Sequence, residues 1–222
     1  MDQLGQFLAY SLDRLPYVIV ALLIAFTVHE FSHAYVAYKF GDPTAKNQGR
    51  VTLNPIQHLD PIGTLLILIV GFGWARPVPV NRFHFKNPRL AGILVSFAGP
   101  LSNLLVAVIG YLIWYGLLAS GLGPTNMPFF VEPFFTMLIH LNIVLFIFNL
   151  IPLPPLDGYR IVEDLVTVEM RAKMTQYEQY GSLIFLILVI TPLGKYTISP
   201  IMNELVPFVR DNLGQYLSLL FF

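Results

Sequence analysis

The sequence predicts an all-α polytopic membrane protein: three spanning helices, a re-entrant helix/β element beside them, and additional C-terminal helices. Three observations predict it. Of 222 residues, 55% are hydrophobic and only 12% charged, whereas soluble domains carry about 25% charged residues. Several apolar stretches reach the ~20 residues that a helix needs to cross a bilayer. One further apolar stretch is too short to cross, and basic residues follow the segments on both sides of it.

Taken in order, residues 1–14 place Leu4, Phe7, Leu8 and Leu12 at helical spacing, which predicts a short amphipathic helix on the membrane surface. Residues 15–38 form the first span. Residues 39–61 are polar and turn-rich, with short strands expected. Residues 62–74, "IGTLLILIVGFGW", would reach roughly 20 Å as a helix, against a hydrocarbon core of ~30 Å. In "ARPVPVN" (75–81), Pro77 and Pro79 impose an extended chain. Residues 90–119 and 129–152 are the second and third spans. Residues 159–180 are charged and mixed, and read as short helices outside the core. Residues 181–194 are again apolar and short. Residues 198–220 carry an apolar stripe, expected to bend at Pro207. There is no repeat and no long linker, so 1–222 reads as one domain, with a core at about 16–160 and accessory helices at about 161–222.

Charge sets the sidedness. Lys39, Lys46 and Arg50 follow the first span; Arg76, Arg82, Lys86 and Arg89 follow the short apolar segment; the loop 120–128 has neither Lys nor Arg. The positive-inside rule puts both basic loops in the cytoplasm and the bare loop outside. Two successive loops share a side only if 62–74 dips in and returns, which its length and the glycines at 71 and 73 favour. The expected location is therefore the cell membrane, multi-pass. Net charge is zero and cysteine is absent, so nothing points to nucleic acid, and disulfides and thiolate ligands are excluded.

Within the first span lies "HEFSH" (29–33). Positions i and i+4 share a helix face, so His29 and His33 can hold one metal ion while Glu30 reaches a water beside it as general base. Chance predicts roughly 0.003 such matches in a chain of this composition. Ionisable groups inside a membrane are functional by default. The site lies roughly 9–15 Å inward from Lys39, toward the cytoplasm. A third ligand is required; Asp157, His140, His58 and Asp60 are the candidates. Asp157 follows Pro152, Pro154 and Pro155, which end the third span, and precedes Gly158. A carboxylate on a proline-stiffened helix end is well oriented, whereas His140 sits mid-helix and reads as a packing residue.

These residues resemble the site-2 protease family of intramembrane zinc metalloproteases. The match combines His29-Glu30-Phe31-Ser32-His33 with "NLIPLPPLDG" (149–158) and Gly99-Pro100-Leu101-Ser102-Asn103. The resemblance implies one Zn2+ per chain held by His29, His33 and Asp157, with Glu30 catalytic, and a substrate that is the transmembrane segment of another membrane protein. It suggests a minimal prokaryotic member without PDZ or CBS domains.

Two further expectations concern the substrate. A side-chain amide would stabilise the oxyanion: Asn149 is the first choice and Asn103 the second, against plain interhelical hydrogen bonding for both. A helix must be locally extended before it is cut. Along "ARPVPVN" proline removes the N–H groups at 77 and 79, leaving Arg76, Val78 and Val80 as donors on the other edge, suited to strand addition. Two other functions compete with proteolysis. A divalent-metal transporter would move zinc in liposomes and survive Glu30→Gln; a non-catalytic membrane-segment binder would have no need of the complete catalytic set. Hydrophobicity excludes a soluble zinc hydrolase.

Overall fold

The computed structural model describes residues 10–70, 73–123 and 125–222. Residues 1–9 of the surface helix expected at 1–14 lie outside those residues, as do Gly71 and Phe72 of the short apolar segment; residues 12–14 form a turn. The chain then builds α1 (Leu15–Lys39), a single turn α2 (Thr44–Asn47), α3 (Pro61–Val70), α4 (Pro88–Ala119), α5 (Val131–Asn149), α6 (Asp157–Leu165), α7 (Val168–Ile190) and α8 (Gly194–Ser218). Among the described residues α1, α4 and α5 are long and apolar enough to cross a membrane. The protein is an all-α membrane protein.

Each of these three buries one stripe, and that of α4 is built largely of small residues. On α1 the buried positions Val18, Leu22, Ala25, His29 and His33 recur every three or four residues, so the imidazoles continue the protein-facing stripe and avoid lipid. On α4, Gly92, Ser96, Gly99, Asn103, Ala107 and Gly110 form the matching stripe. Lipid is as apolar as a side chain, so close approach of small residues, rather than expulsion of water, holds such helices together. The opposite face of α4 leaves Leu105, Ile109 and Ile113 about half exposed, as a lipid-facing surface should. Asn87 starts α4 by accepting a hydrogen bond from the Leu90 N–H, with Pro88 in the first turn.

The direction of the helices is readable from their contacts. Asn103 meets Ala25 and His33 meets Val95, so α1 and α4 are antiparallel and the segment 40–87 leaves and returns at the same end of the bundle. The re-entrant reading of 62–74 therefore agrees with the structure, with α3 as its helix. The strands expected in 39–61 are absent among the described residues. Pairing is confined to one bridge, Leu59 with Ala75, because Gly49 and Pro55 break the run and no neighbouring strand is offered. Asn103 also meets Asn142 on α5, which brings the end of α5, and with it Asp157, back to the end where His33 lies.

The C-terminal part differs from expectation in one way. The charged stretch after 166 and the apolar stretch after 181 form one continuous helix, α7 (Val168–Ile190), which no proline interrupts and which tolerates Gly181 at the junction. Helix α8 runs the length of α5: Ile198 and Met202 pack near Ile151 and Leu156, whereas Val206, Leu213 and Leu217 pack against the cluster of Ile139 and Tyr111. Pro200 and Pro207 both sit inside it.

Candidate metal centre

Three donor atoms converge. His29 Nε2 and His33 Nε2 are 3.0 Å apart, and Asp157 Oδ2 lies 3.2 Å from the first and 3.4 Å from the second. The hydrogen-bond network decides what these atoms carry. His33 Nδ1 meets the carbonyl of Val95 at 2.7 Å; a carbonyl only accepts, so the proton is on Nδ1. Asn103 Nδ2 donates to the Ala25 carbonyl (3.2 Å) and to Asn142 Oδ1 (3.0 Å), which turns Asn103 Oδ1 toward His29 Nδ1, 2.6 Å away. His29 therefore also carries its proton on Nδ1 and donates it. Both Nε2 atoms present bare lone pairs to each other and to a carboxylate oxygen that is buried without a hydrogen-bond partner.

Three facing lone pairs repel unless a cation sits among them. A tetrahedral zinc ion with bonds of about 2.0–2.1 Å needs ligand atoms about 3.3 Å apart. The observed spacings fit that donor set, and nitrogen–nitrogen–oxygen is a zinc-type combination. Gly99 makes room for it: a Cβ there would lie 2.3 Å from His33 Nε2 and 2.6 Å from His29 Nε2. Gly158 does the same for the third donor, since a Cβ there would lie 2.3 Å from the Leu150 carbonyl oxygen and would open the turn that aims Asp157.

The donors face a cavity of about 670 Å³ that Glu30, Asn149, Val78 and Val80 also line. Asn149 donates to the Leu145 carbonyl at 3.0 Å, which leaves its oxygen and its second amide hydrogen available on a residue that lines the cavity. Asn103 departs from expectation: it is fully buried, both its amide hydrogens are in use, and it does not line the cavity. It orients His29 instead of meeting an oxyanion. The other third-ligand candidates are placed elsewhere. His58 is buried, with Nε2 2.8 Å from the Thr52 carbonyl; Asp60 accepts from the Gly63 N–H at 2.8 Å; His140 lines an adjoining cavity of about 560 Å³ among α1, α5 and α8 and is not among the converging donors.

The extended segment after α3 is pinned at both ends. Arg76 N–H donates to the His58 carbonyl at 2.8 Å. The guanidinium of Arg50, only 2% exposed, donates to the carbonyls of Arg76 (2.6 Å) and Pro77 (3.1 Å). Arg76 is thus already engaged on both backbone groups, so the pairing edge expected at Arg76, Val78 and Val80 is reduced to Val78 and Val80. At the far end Asp42 accepts from the Asn81 N–H at 2.6 Å and from the Thr44 N–H at 2.9 Å. Burial opposes the Asp42 charge, but these hydrogen bonds outweigh it and hold the carboxyl below its ordinary range. Arg82 then pairs with Asp164, and with Glu163 at 3.6 Å, on the helix that begins with Asp157. Burial pushes the Asp164 carboxyl up, against the pull of Arg82 and Arg171.

Sequence reading missed Asn142, Asp42 and the internal role of Arg50. Asn142 was signalled by an amide in an otherwise apolar run; nothing local marked the other two.

Comparison with known proteins agrees with this geometry. The model of peptidase family M50 matches residues 124–192, the stretch that holds Asn149 and Asp157. YwhC of Bacillus subtilis (strain 168), named as a candidate zinc metalloprotease, is 55% identical over 98% of both chains. Rip2 of Mycolicibacterium smegmatis, named likewise, is 33% identical over 79% of this chain and 67% of its own length. MJ0611 of Methanocaldococcus jannaschii, also so named, is 26% identical over 65% of this chain and 68% of its own. No solved structure matches. The chain belongs to peptidase family M50, the site-2 protease family.

Proposed function

We propose that this protein is an intramembrane zinc metalloprotease of the site-2 type, which hydrolyses a peptide bond in or near the transmembrane segment of another membrane protein. The observation that carries the reading is the convergence of His29 Nε2, His33 Nε2 and Asp157 Oδ2 on one point, with Glu30 lining the same cavity. These three residues would hold zinc, which when bound supplies Lewis acidity: it acidifies water and polarises a peptide carbonyl. The names carried by the relatives support the same metal and chemistry.

The chain's own groups do the rest. Glu30 takes a proton from the attacking water on its carboxylate and returns it to the leaving amine. Asn149 directs its free amide hydrogen toward the carbonyl oxygen as charge develops there. Asn103 and the Val95 carbonyl keep both imidazoles in the tautomer that leaves Nε2 free. Val78 and Val80 pair with the unwound substrate, holding it extended against the site.

The site faces the cytoplasm in this reading. Lys39, Lys46, Arg76, Lys86 and Arg89 are exposed at its end of the bundle, and the 120–128 loop has no cation. The test pairs metal analysis with cleavage of a panel of single-span proteins in liposomes. Glu30→Gln should keep its zinc and lose about 10²-fold or more in turnover. Asp157→Ala should lose the metal. Zinc transport that survives Glu30→Gln, with no cleavage by wild type, would sink the reading.

A further inference from the structure

The extended segment offers fewer pairing positions than its length suggests, and Arg50 sets where they begin. In a regular strand the N–H and C=O of one residue point to one edge and those of the next residue to the other. Arg76, Val78 and Val80 would then give three rungs on one edge. Arg50 removes the first, because its two Nη atoms hold the carbonyls of Arg76 and Pro77 together. Consecutive carbonyls of a flat strand diverge, so a single guanidinium can hold both only where the chain turns between them. The His58 carbonyl takes the Arg76 N–H. Asp42 closes the other end by taking the Asn81 N–H. Among the described residues nothing bonds the backbone groups of Val78 or Val80, and both residues line the cavity of His29, His33 and Asp157.

Bare backbone at a membrane depth must find a partner. Two residues, each with one donor and one acceptor on the same edge, make two rungs. Whether a substrate strand runs parallel or antiparallel, the substrate N–H groups that these rungs use lie two residues apart.

Resting on the protease reading above, we propose that Arg50 is a positioning residue: it ends the pairing edge at Val78, limits the substrate to two rungs, and so sets which peptide bond meets the metal centre. Its guanidinium is not itself a contact to the reacting atoms. Freed from Arg50, the Arg76 carbonyl becomes a partial third rung. The substrate then slips by two residues, the smallest step that keeps the same side chains facing the cavity.

The test maps cleavage positions by mass spectrometry, on a substrate that wild type cuts and Glu30→Gln does not. In wild type, a proline scan of the substrate should inhibit at two positions, two residues apart, and be tolerated between them. Arg50→Met should not raise KM, since it adds a rung, but should lower kcat at the original bond about twofold or more as the substrate divides between two registers. It should also give a second product cut two residues away, with zinc content unchanged. Arg50→Lys, which can hold one carbonyl but not both in a fork, should fall between. A single unshifted cut at unchanged kcat in a folded, zinc-replete Arg50→Met would overturn the proposal. So would three or more alternating proline-sensitive positions in wild type, a result that stands even if both variants misfold. Failure of the protease reading looks different: wild type then yields no product that Glu30→Gln lacks, which overturns both.

Discussion

The helix pair α1/α4 and the extended segment 75–82 treat their polar groups in opposite ways. In the helix pair every amide hydrogen of Asn103 and each Nδ1 of the two imidazoles has a partner. The ring nitrogens left bare there, His29 Nε2 and His33 Nε2, converge with Asp157 Oδ2 of α6 on one point, while Thr27 Oγ1 is buried without a partner as well. In the extended segment the two ends are tied by Arg50, His58 and Asp42, and the bare groups lie in a row between them. Convergent lone pairs suit a single ion; a row of alternating donors and acceptors suits a chain. The difference teaches that bareness in a well-satisfied membrane protein is directional, and that its pattern tells what is to be received.

The largest way to break this contrast is to fill the cradle. Gly99→Ala would place a methyl group 2.3 Å and 2.6 Å from the two Nε2 atoms, well inside contact distance, so α1 and α4 must part. Zinc affinity should fall more than about 100-fold, beyond what loss of an outlying hydrogen bond costs, and activity should fall with it. Equilibrium dialysis against a zinc indicator measures this; full zinc occupancy in Gly99→Ala would contradict the geometry. A smaller effect sharpens the same side of the contrast. Asn103→Leu keeps the volume but removes the acceptor that holds His29 in its tautomer. It should weaken zinc about 10- to 100-fold and leave Asn142 Oδ1 short of a donor, costing about 1–3 kcal/mol. If Asn103 served an oxyanion, the variant would instead keep zinc at full affinity and lose only turnover.

Much of the helix pair was legible in the sequence, and little of the extended segment was. His29, Glu30 and His33 announce themselves through spacing within one helix, and Asp157 through the prolines before it, because both signals are local. The spans are legible for the same reason: apolar length is a property of a window. The role of Asn103 was not, since an amide's partners come from two other helices and the residue itself reads alike in either role. Arg50 looked like one more cation in a cytoplasmic loop. Only the return of 62–74 toward His58 brings the carbonyls of Arg76 and Pro77 within its reach, and no short-range pattern encodes that return. The continuity of α7 was missed because composition changes midway along it, from charged to apolar, with Gly181 at the change, while no proline interrupts the run.

The finest test of the contrast acts on one hydrogen. Val78→Pro extends an existing Pro-x-Pro run, and proline's backbone suits an extended chain, so the segment should keep its course between Arg50 and Asp42. The change removes one donor from the two rungs. A single net hydrogen bond is worth about 0.5–1.5 kcal/mol, which corresponds to roughly a two- to tenfold loss in kcat/KM. Zinc content should not move, because none of the hydrogen bonds that hold the three ligands involves Val78. Val78→Ala shortens the same side chain but keeps the donor, so it separates pairing from packing: it should cleave closer to wild type than Val78→Pro. Equal loss in the two variants would assign the effect to the side chain. Unaltered cleavage by Val78→Pro would remove this edge from substrate binding and leave its bare groups to water.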